Sequence, residues 1–262
     1  MEYKNILTET VGGLFIITIN RPDVLNSINS ETGKELQHAL GYCADTPGIR
    51  AVLLTGTGRA FCAGQDLAEA LPKDKPPADI AAIVRETYNP LILKLRNLSK
   101  PVIAGVNGVA AGAGANIALA CDLIVASDKA SFIQAFSKIG LIPDSGGTYT
   151  LLRHVGYHKA FSLMAFGDKL STDEAYKLGI VYKVFPYESF TEDVKQFARQ
   201  VASMPTLALT LTKEALNKSN SNNLEEQLKL EEKLQAIAGN SYDYKEGVTA
   251  FLEKRNPEFK GE

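Results

Sequence analysis

The sequence is poor in the residues that metal centres and disulfide frameworks need. It has three cysteines, Cys43, Cys62 and Cys121, and three histidines in 262 residues. An odd cysteine count without CxxC spacing argues against a disulfide framework, and so few cysteines and histidines argue against a zinc cluster. No apolar run approaches the ~20 residues that span a bilayer. The opening MEYKNILTETVGG has neither a basic n-region nor an apolar h-region, so no signal peptide is expected and the reducing cytoplasm is the expected compartment. Basic residues are scattered and the formal charge is −2, so neither nucleic acid nor a membrane is an expected partner. What is present, 45% hydrophobic and 22% charged residues, suits a soluble globular chain with one large core and room for a smaller appendage.

Residues 13–20, GLFIITIN, read as a strand closed by the turn Asn20-Arg21-Pro22-Asp23. An amphipathic helix begins near Asn29 or Ser30, is apolar at Leu36, Ala39, Leu40 and Cys43, and stops by Thr46-Pro47-Gly48. Buried strands are expected over residues 51–54, 101–106 and 123–126, a helix over 80–98, and a small-residue helix over 112–121. The run PKDKPPAD, residues 72–79, reads as a mobile surface loop. Alternating strands and helices predict an α/β domain over residues 1–188. From residue 189 onward the pattern is helical, and the stripe Leu224, Leu228, Leu234 and Ile237 predicts either core or an oligomer interface. No internal repeat is visible.

Two glycine-rich segments carry the chemistry. Residues 56–66, GTGRAFCAGQD, and 107–116, NGVAAGAGAN, each follow a buried strand, and the second runs into a helix. Neither is a P-loop or a dinucleotide fingerprint. Such glycines either permit close packing or expose backbone N–H groups that bind an oxyanion, and two in one domain favour the second reading. In residues 140–147, GLIPDSGG, a serine nucleophile would need a histidine base. His38, His154 and His158 are weak candidates, on helices, and Ser145 suits an N-cap for GGTYTLL. Asp144 stands among Ile139, Leu141, Ile142 and Pro143. It is either a cap or a carboxyl whose charged form is disfavoured and that cycles a proton near neutral pH.

Residues 59–67, RAFCAGQDL, 106–116, VNGVAAGAGAN, the pair Cys121-Asp122, and 245–255, KEGVTAFLEKR, together resemble the enoyl-CoA hydratase/isomerase (crotonase) superfamily, over nearly the whole chain. The resemblance implies an α/β, ClpP-like spiral of ββα units, with residues 189–262 forming a helical trimerisation region and a homotrimer or hexamer as the assembly. It implies an acyl-CoA thioester substrate, with coenzyme A as part of that substrate and no metal or other cofactor. The matching oxyanion-hole donors are the N–H groups of Gln65, after Ala63-Gly64, and of Ala113, between Gly112 and Gly114. Asp66 and Leu67 border the first donor, Asp66 with a structural role, and Phe251 and Lys254 match positions that hold CoA, often that of a neighbouring subunit. The two glutamates of typical hydratases correspond here to Asn116 and Phe136. Asn116 is expected to orient substrate or a water, and Phe136 to wall the acyl pocket. Members with an aspartate at Asp144 include isomerases and hydrolytic dehalogenases. Residues 132–147, FIQAFSKIGLIPDSGG, are most similar to the isomerases that act on the ring epoxide of phenylacetyl-CoA and also shift Δ3 double bonds. A single carboxylate suits such a shift, because the base that takes one proton returns one as the acid.

Overall fold

Gly12, at φ +59°, turns strand β1 (Ile6–Val11) back on β2 (Leu14–Ile19), and the two pair antiparallel. The computed structural model describes residues 2–73 and 76–262. Strands β3 (Ala51–Gly56), β5 (Val102–Val106), β7 (Leu123–Ser127) and β10 (Lys183–Phe185) continue from β2 in parallel, in the order β1-β2-β3-β5-β7-β10. Three of these strands lead at once into a short strand of a second sheet. That sheet runs β4 (Ala60–Cys62), β6 (Val109–Ala111), β8 (Ser131–Ile133) and β9 (Lys169–Ser171). The repeated step from long strand to short strand is the expected spiral.

The long strands are apolar on both faces because both are covered. Phe15, Ile17, Ile19, Val52 and Leu54 meet helices α1 (Ser30–Asp45), α4 (Asn89–Asn97) and α5 (Ala113–Ala120). Leu14, Ile16, Leu53, Ile103 and Val125 point the other way, onto Phe190, Val194, Ala198 and Val201 of α9 (Phe190–Ala202). The expected division at residue 188 is thus no boundary between cores, since α9 completes the core of the preceding segment. Short helices α2 (Leu67–Ala70) and α3 (Ile80–Ile83) follow β4, α6 (Gly147–Val155) and α7 (Tyr157–Phe166) follow β8, α8 (Thr172–Lys177) follows β9, and α10 (Thr206–Ser219), α11 (Leu224–Gly239) and α12 (Tyr242–Glu253) close the chain.

Polar side chains stitch successive coils. Asn107 Nδ2 donates to the carbonyls of Gly58 (2.9 Å) and Ala60 (3.1 Å), and Asn26 Nδ2 donates to those of Thr57 (2.9 Å) and Ala60 (2.7 Å). Backbone groups at the bends are satisfied in this way without water. In the stripe on α11 only Leu234 is buried, at 6% exposure, while Leu224, Leu228 and Ile237 are exposed, so the reading of that stripe as core is corrected. Of the proline-rich run over residues 72–79, Asp74 and Lys75 lie outside the described residues, and the flanking ones carry neither helix nor strand. Among the described residues no helix is long and apolar enough to cross a membrane.

Candidate active site

Two turns at the ends of β4 and β6 come into contact. Gly64 has φ +94°, and a Cβ there would stand 2.9 Å from the Ala111 carbonyl oxygen and 3.3 Å from the Ala113 nitrogen. Ile28 N–H donates to the Gly64 carbonyl (2.7 Å) and Asp66 N–H to the Ile28 carbonyl (2.9 Å), which leaves the Gln65 amide outside that bridge. Gly112, at φ +53°, turns the chain into α5, whose first residue is Ala113. Ala113 itself avoids positive φ, so an alanine there costs no backbone strain. A Cβ on Gly114 would meet the Cys62 carbonyl oxygen at 2.1 Å, which is how closely α5 sits on β4. Among the described residues neither the Gln65 nor the Ala113 N–H has an acceptor. Adjacent unpaired amides, one of them at a helix N-terminus, are chemically able to receive an oxyanion.

Asp144 lies in the loop between the 3-10 turn Ala135–Ile139 and α6. Asn116 Nδ2 donates to its carbonyl at 2.8 Å and Ser145 Oγ donates to its Oδ1 at 2.7 Å. Burial pushes its carboxyl above the usual range for an aspartate, and the bond from Ser145 opposes that shift. Gly147 gives Asn116 its room, since a Cβ there would stand 2.3 Å from Nδ2.

Two free amides at adjacent turns and a partly desolvated carboxylate in the loop before α6 are the features the site offers. The sequence model described as enoyl-CoA hydratase/isomerase matches residues 9–262. The chain belongs to this family. It is 45% identical over 262 residues to 1,2-epoxyphenylacetyl-CoA isomerase of Escherichia coli K12, covering 100% of this chain and 99% of that one. It is 42% identical over 261 residues to a "Probable enoyl-CoA hydratase" of Rhodobacter capsulatus, covering 100% of each. Enoyl-CoA hydratase from Bacillus anthracis superposes with a TM-score of 0.92 at 32% identity, over 99% of this chain and 100% of that structure.

Within this hydratase/isomerase scaffold, several expected residues sit otherwise than the motifs suggested. Asn116 is fully buried, and its Oδ1 accepts from Gln134 Nε2 at 2.8 Å. With both ends of its amide engaged it braces the Asp144 loop and does not present itself to substrate. Asp66, by contrast, spends its carboxylate on Arg21 (2.8 Å) and on the Ala68 N–H (3.1 Å), in keeping with the structural role expected of it. Ser145 is not an N-cap: it has φ +52°, Gly146 is the capping residue, and no side chain caps α6. The apolar residues beside Asp144 in sequence do not enclose it either. Ile139 (58%), Leu141 (40%) and Ile142 (82%) are exposed, whereas Asp144 is half-buried and its carbonyl is held by Asn116 of α5. A Cβ on Gly146 would stand 3.7 Å from Ile92 of α4.

Phe136 is buried, with its ring 3.9 Å from where a Gly112 Cβ would be, so it does back the second turn. Ala63 is half-buried and Leu67 exposed beside the first turn. Phe251 and Lys254 are exposed at the end of α12, and no hydrogen bond or ring contact ties either to the two turns among the described residues. His38 Nδ1 is hydrogen-bonded to the Tyr3 hydroxyl (2.9 Å), and among the described residues no histidine is a partner of Asp144. The motifs gave no hint of Tyr88. It ends a π-helical turn, Val84–Tyr88, that separates α3 from α4, is 1% exposed, and donates its hydroxyl to Gln65 Oε1 at 2.9 Å.

Proposed function

We propose that this protein is an acyl-CoA isomerase in which Asp144 carries the proton and the amides of Gln65 and Ala113 hold the thioester oxygen. The observation that supports this most is a pair of free amides at adjacent turns together with a partly desolvated Asp144, and the resemblance puts Asn116 and Phe136 at the positions of the hydratase glutamates. Removing a proton from carbon next to a thioester builds an enolate, and its charge falls on the oxygen that the two amides face. Asp144, once protonated, returns a proton at the γ carbon, which moves a Δ3 double bond into conjugation. A carboxyl with a raised pKa is a stronger base in the first half and still a competent acid in the second.

The finer reading is conversion of ring-1,2-epoxyphenylacetyl-CoA to the oxepin thioester, together with Δ3-to-Δ2 shifts, in aerobic phenylacetate breakdown in the cytoplasm. The 45% identical relative with that activity in its name supports it, as does the buried Phe136 ring behind the second turn. Coenzyme A enters as part of the substrate, and the chemistry calls for no metal or redox cofactor. A trimer or hexamer is proposed with it. The exposed Leu224, Leu228, Phe251 and Leu252 supply an apolar face, and Phe251 and Lys254 would then meet a neighbour's CoA.

The test is purified protein incubated separately with enzymatically generated 1,2-epoxyphenylacetyl-CoA, a Δ3-enoyl-CoA and a Δ2-enoyl-CoA, with products read by mass spectrometry. Oxepin-CoA with little hydration of the Δ2 substrate is the expected result. Conversion of the Δ3 substrate alone would make it a general enoyl-CoA isomerase, and dominant water addition would make it a hydratase, like the 42% identical relative's name. Asp144→Asn is expected to lower turnover by about 10²-fold or more while CoA-thioester binding persists. Unchanged turnover in that variant rules out the acid/base role, and no turnover of any substrate by the wild type favours a non-catalytic acyl-CoA binder.

A further inference from the structure

The side chain of Gln65 is anchored at both ends although only its backbone faces the proposed thioester site. Its Oε1 accepts from the Tyr88 hydroxyl at 2.9 Å. Its Nε2 donates to Glu69 Oε2 at 3.3 Å and to the Asp66 carbonyl at 3.2 Å. Glu69 in turn accepts from the Ser30 N–H, at 2.9 and 3.1 Å to its two oxygens. One glutamine thus ties together the π turn, α2 and the start of α1. The peptide it holds follows Gly64, at φ +94°, a residue whose backbone resists rotation least.

The π turn explains why Tyr88 is there. An i→i+5 turn carries one residue more than an α-helical turn, so the side chains after it are rotated out of the regular 3.6-residue pattern. Tyr88 emerges from that turn as one of the largest fully buried side chains in the protein. A buried phenol needs a partner for its O–H, and here the partner is the residue after the Gly64 turn.

We propose that Tyr88 is a positioning residue whose hydrogen bond to the Gln65 side chain fixes the direction of the Gln65 amide. This rests on the reading of that amide as an oxyanion donor. A donor stabilises developing charge fully only when it is aimed beforehand, so a peptide free to swing by a fraction of an ångström loses transition-state stabilisation more than ground-state binding. Burial, then the neighbouring Cys62 thiol, then the Asp144 carboxylate hold the phenol's pKa well above its usual value. Tyr88 therefore stays a donor at neutral pH.

The test compares wild type, Tyr88→Phe, Gln65→Leu and the double variant. Cinnamoyl-CoA serves as the probe, because its absorption moves to the red when its thioester carbonyl is polarised. Tyr88→Phe is expected to bind the probe with nearly wild-type affinity but with a smaller red shift. On a Δ3-enoyl-CoA its kcat should fall about 10-fold with KM nearly unchanged. Gln65→Leu should lose at least as much, since it also gives up the bonds to Glu69 and Asp66, and the double variant should be no worse than Gln65→Leu, since the Tyr88 link is already gone there. A wild-type red shift and kcat in Tyr88→Phe overturns the proposal, as do losses that multiply in the double variant. Should Tyr88→Phe not fold, an unchanged red shift in Gln65→Leu overturns it equally. A wild type that shows no red shift overturns the oxyanion-donor reading itself, and this proposal with it.

Discussion

Ser145 Oγ donates a 2.7 Å hydrogen bond to Asp144 Oδ1, from a residue held at φ +52°. That bond favours the ionised carboxylate, while burial disfavours it more strongly. Ser145→Ala leaves burial unopposed, so the Asp144 pKa rises further. A base of higher pKa is protonated up to a higher pH, so the acid limb of the kcat/KM profile on a Δ3-enoyl-CoA is expected to move to higher pH. An acid limb that stays in place, or moves down, separates Ser145 from the titrating group.

Gly64→Ala is expected to damage both turnover and stability. Its Cβ would meet the Ala111 carbonyl oxygen at 2.9 Å, and its φ of +94° strains any L side chain. We expect kcat to fall about 10²-fold, as on losing an oxyanion donor, and stability to fall by about 1–3 kcal/mol. Gly48→Ala, where no atom lies within 4 Å, is the control that should change neither. Steady-state kinetics and urea denaturation measure the two effects separately.

Lys213 anchors α10 to the core. Its Nζ, on a side chain 8% exposed, donates to Asp122 Oδ2 and to the Leu95 carbonyl, both at 2.8 Å, and Asp122 also accepts from the Val102 N–H at 2.8 Å. Lys213→Met leaves the largely buried Asp122 with only Arg96, 4.0 Å from its other oxygen, as a cation, at a cost of about 3 kcal/mol. Adding Asp122→Asn should recover much of that loss in urea denaturation. A double variant as unstable as the single one would show that packing, not charge, explains the effect.

The thiols of Cys43, Cys62 and Cys121 are buried, and burial pushes each up to about 12. The thiolate is the reactive form, so a colorimetric thiol reagent should label none of them at pH 8 in the folded protein and all three in denaturant. Rapid labelling of the folded state would show that one of these elements opens readily.

The long strands were legible because their burial on both faces writes continuous apolar runs such as LFIITI and VIAGV. Helix α1 was legible to within a residue of its start, where Asn29 proves to be the cap and accepts from the Thr32 N–H. The three-residue strands β4, β6, β8 and β9 were not, because they exist only through pairing with neighbouring coils. Strand β1 is similar, since ILTETV gains its identity from lying along β2. In the site, glycine spacing pointed to the two turns. It could not show which way the loop around Asp144 faces, and so Ile139 and Ile142 looked like walls when they are exposed. Tyr88 was hidden for a geometric reason, since a π turn breaks the spacing by which helical neighbours are found.

The stacking of coils has a consequence for how such a protein changes its reaction. Gln65 follows the short strand of one coil, Ala113 that of the next, and Asp144 belongs to the stretch after the third, β8. The proposed grip on the thioester and the proposed chemistry at carbon therefore fall on different segments of the chain. On the proposed reading, a substitution in the stretch after β8 would alter the proton chemistry with both amides left in place, whereas one at Asn116 would reach the Asp144 loop from the helix that Ala113 begins.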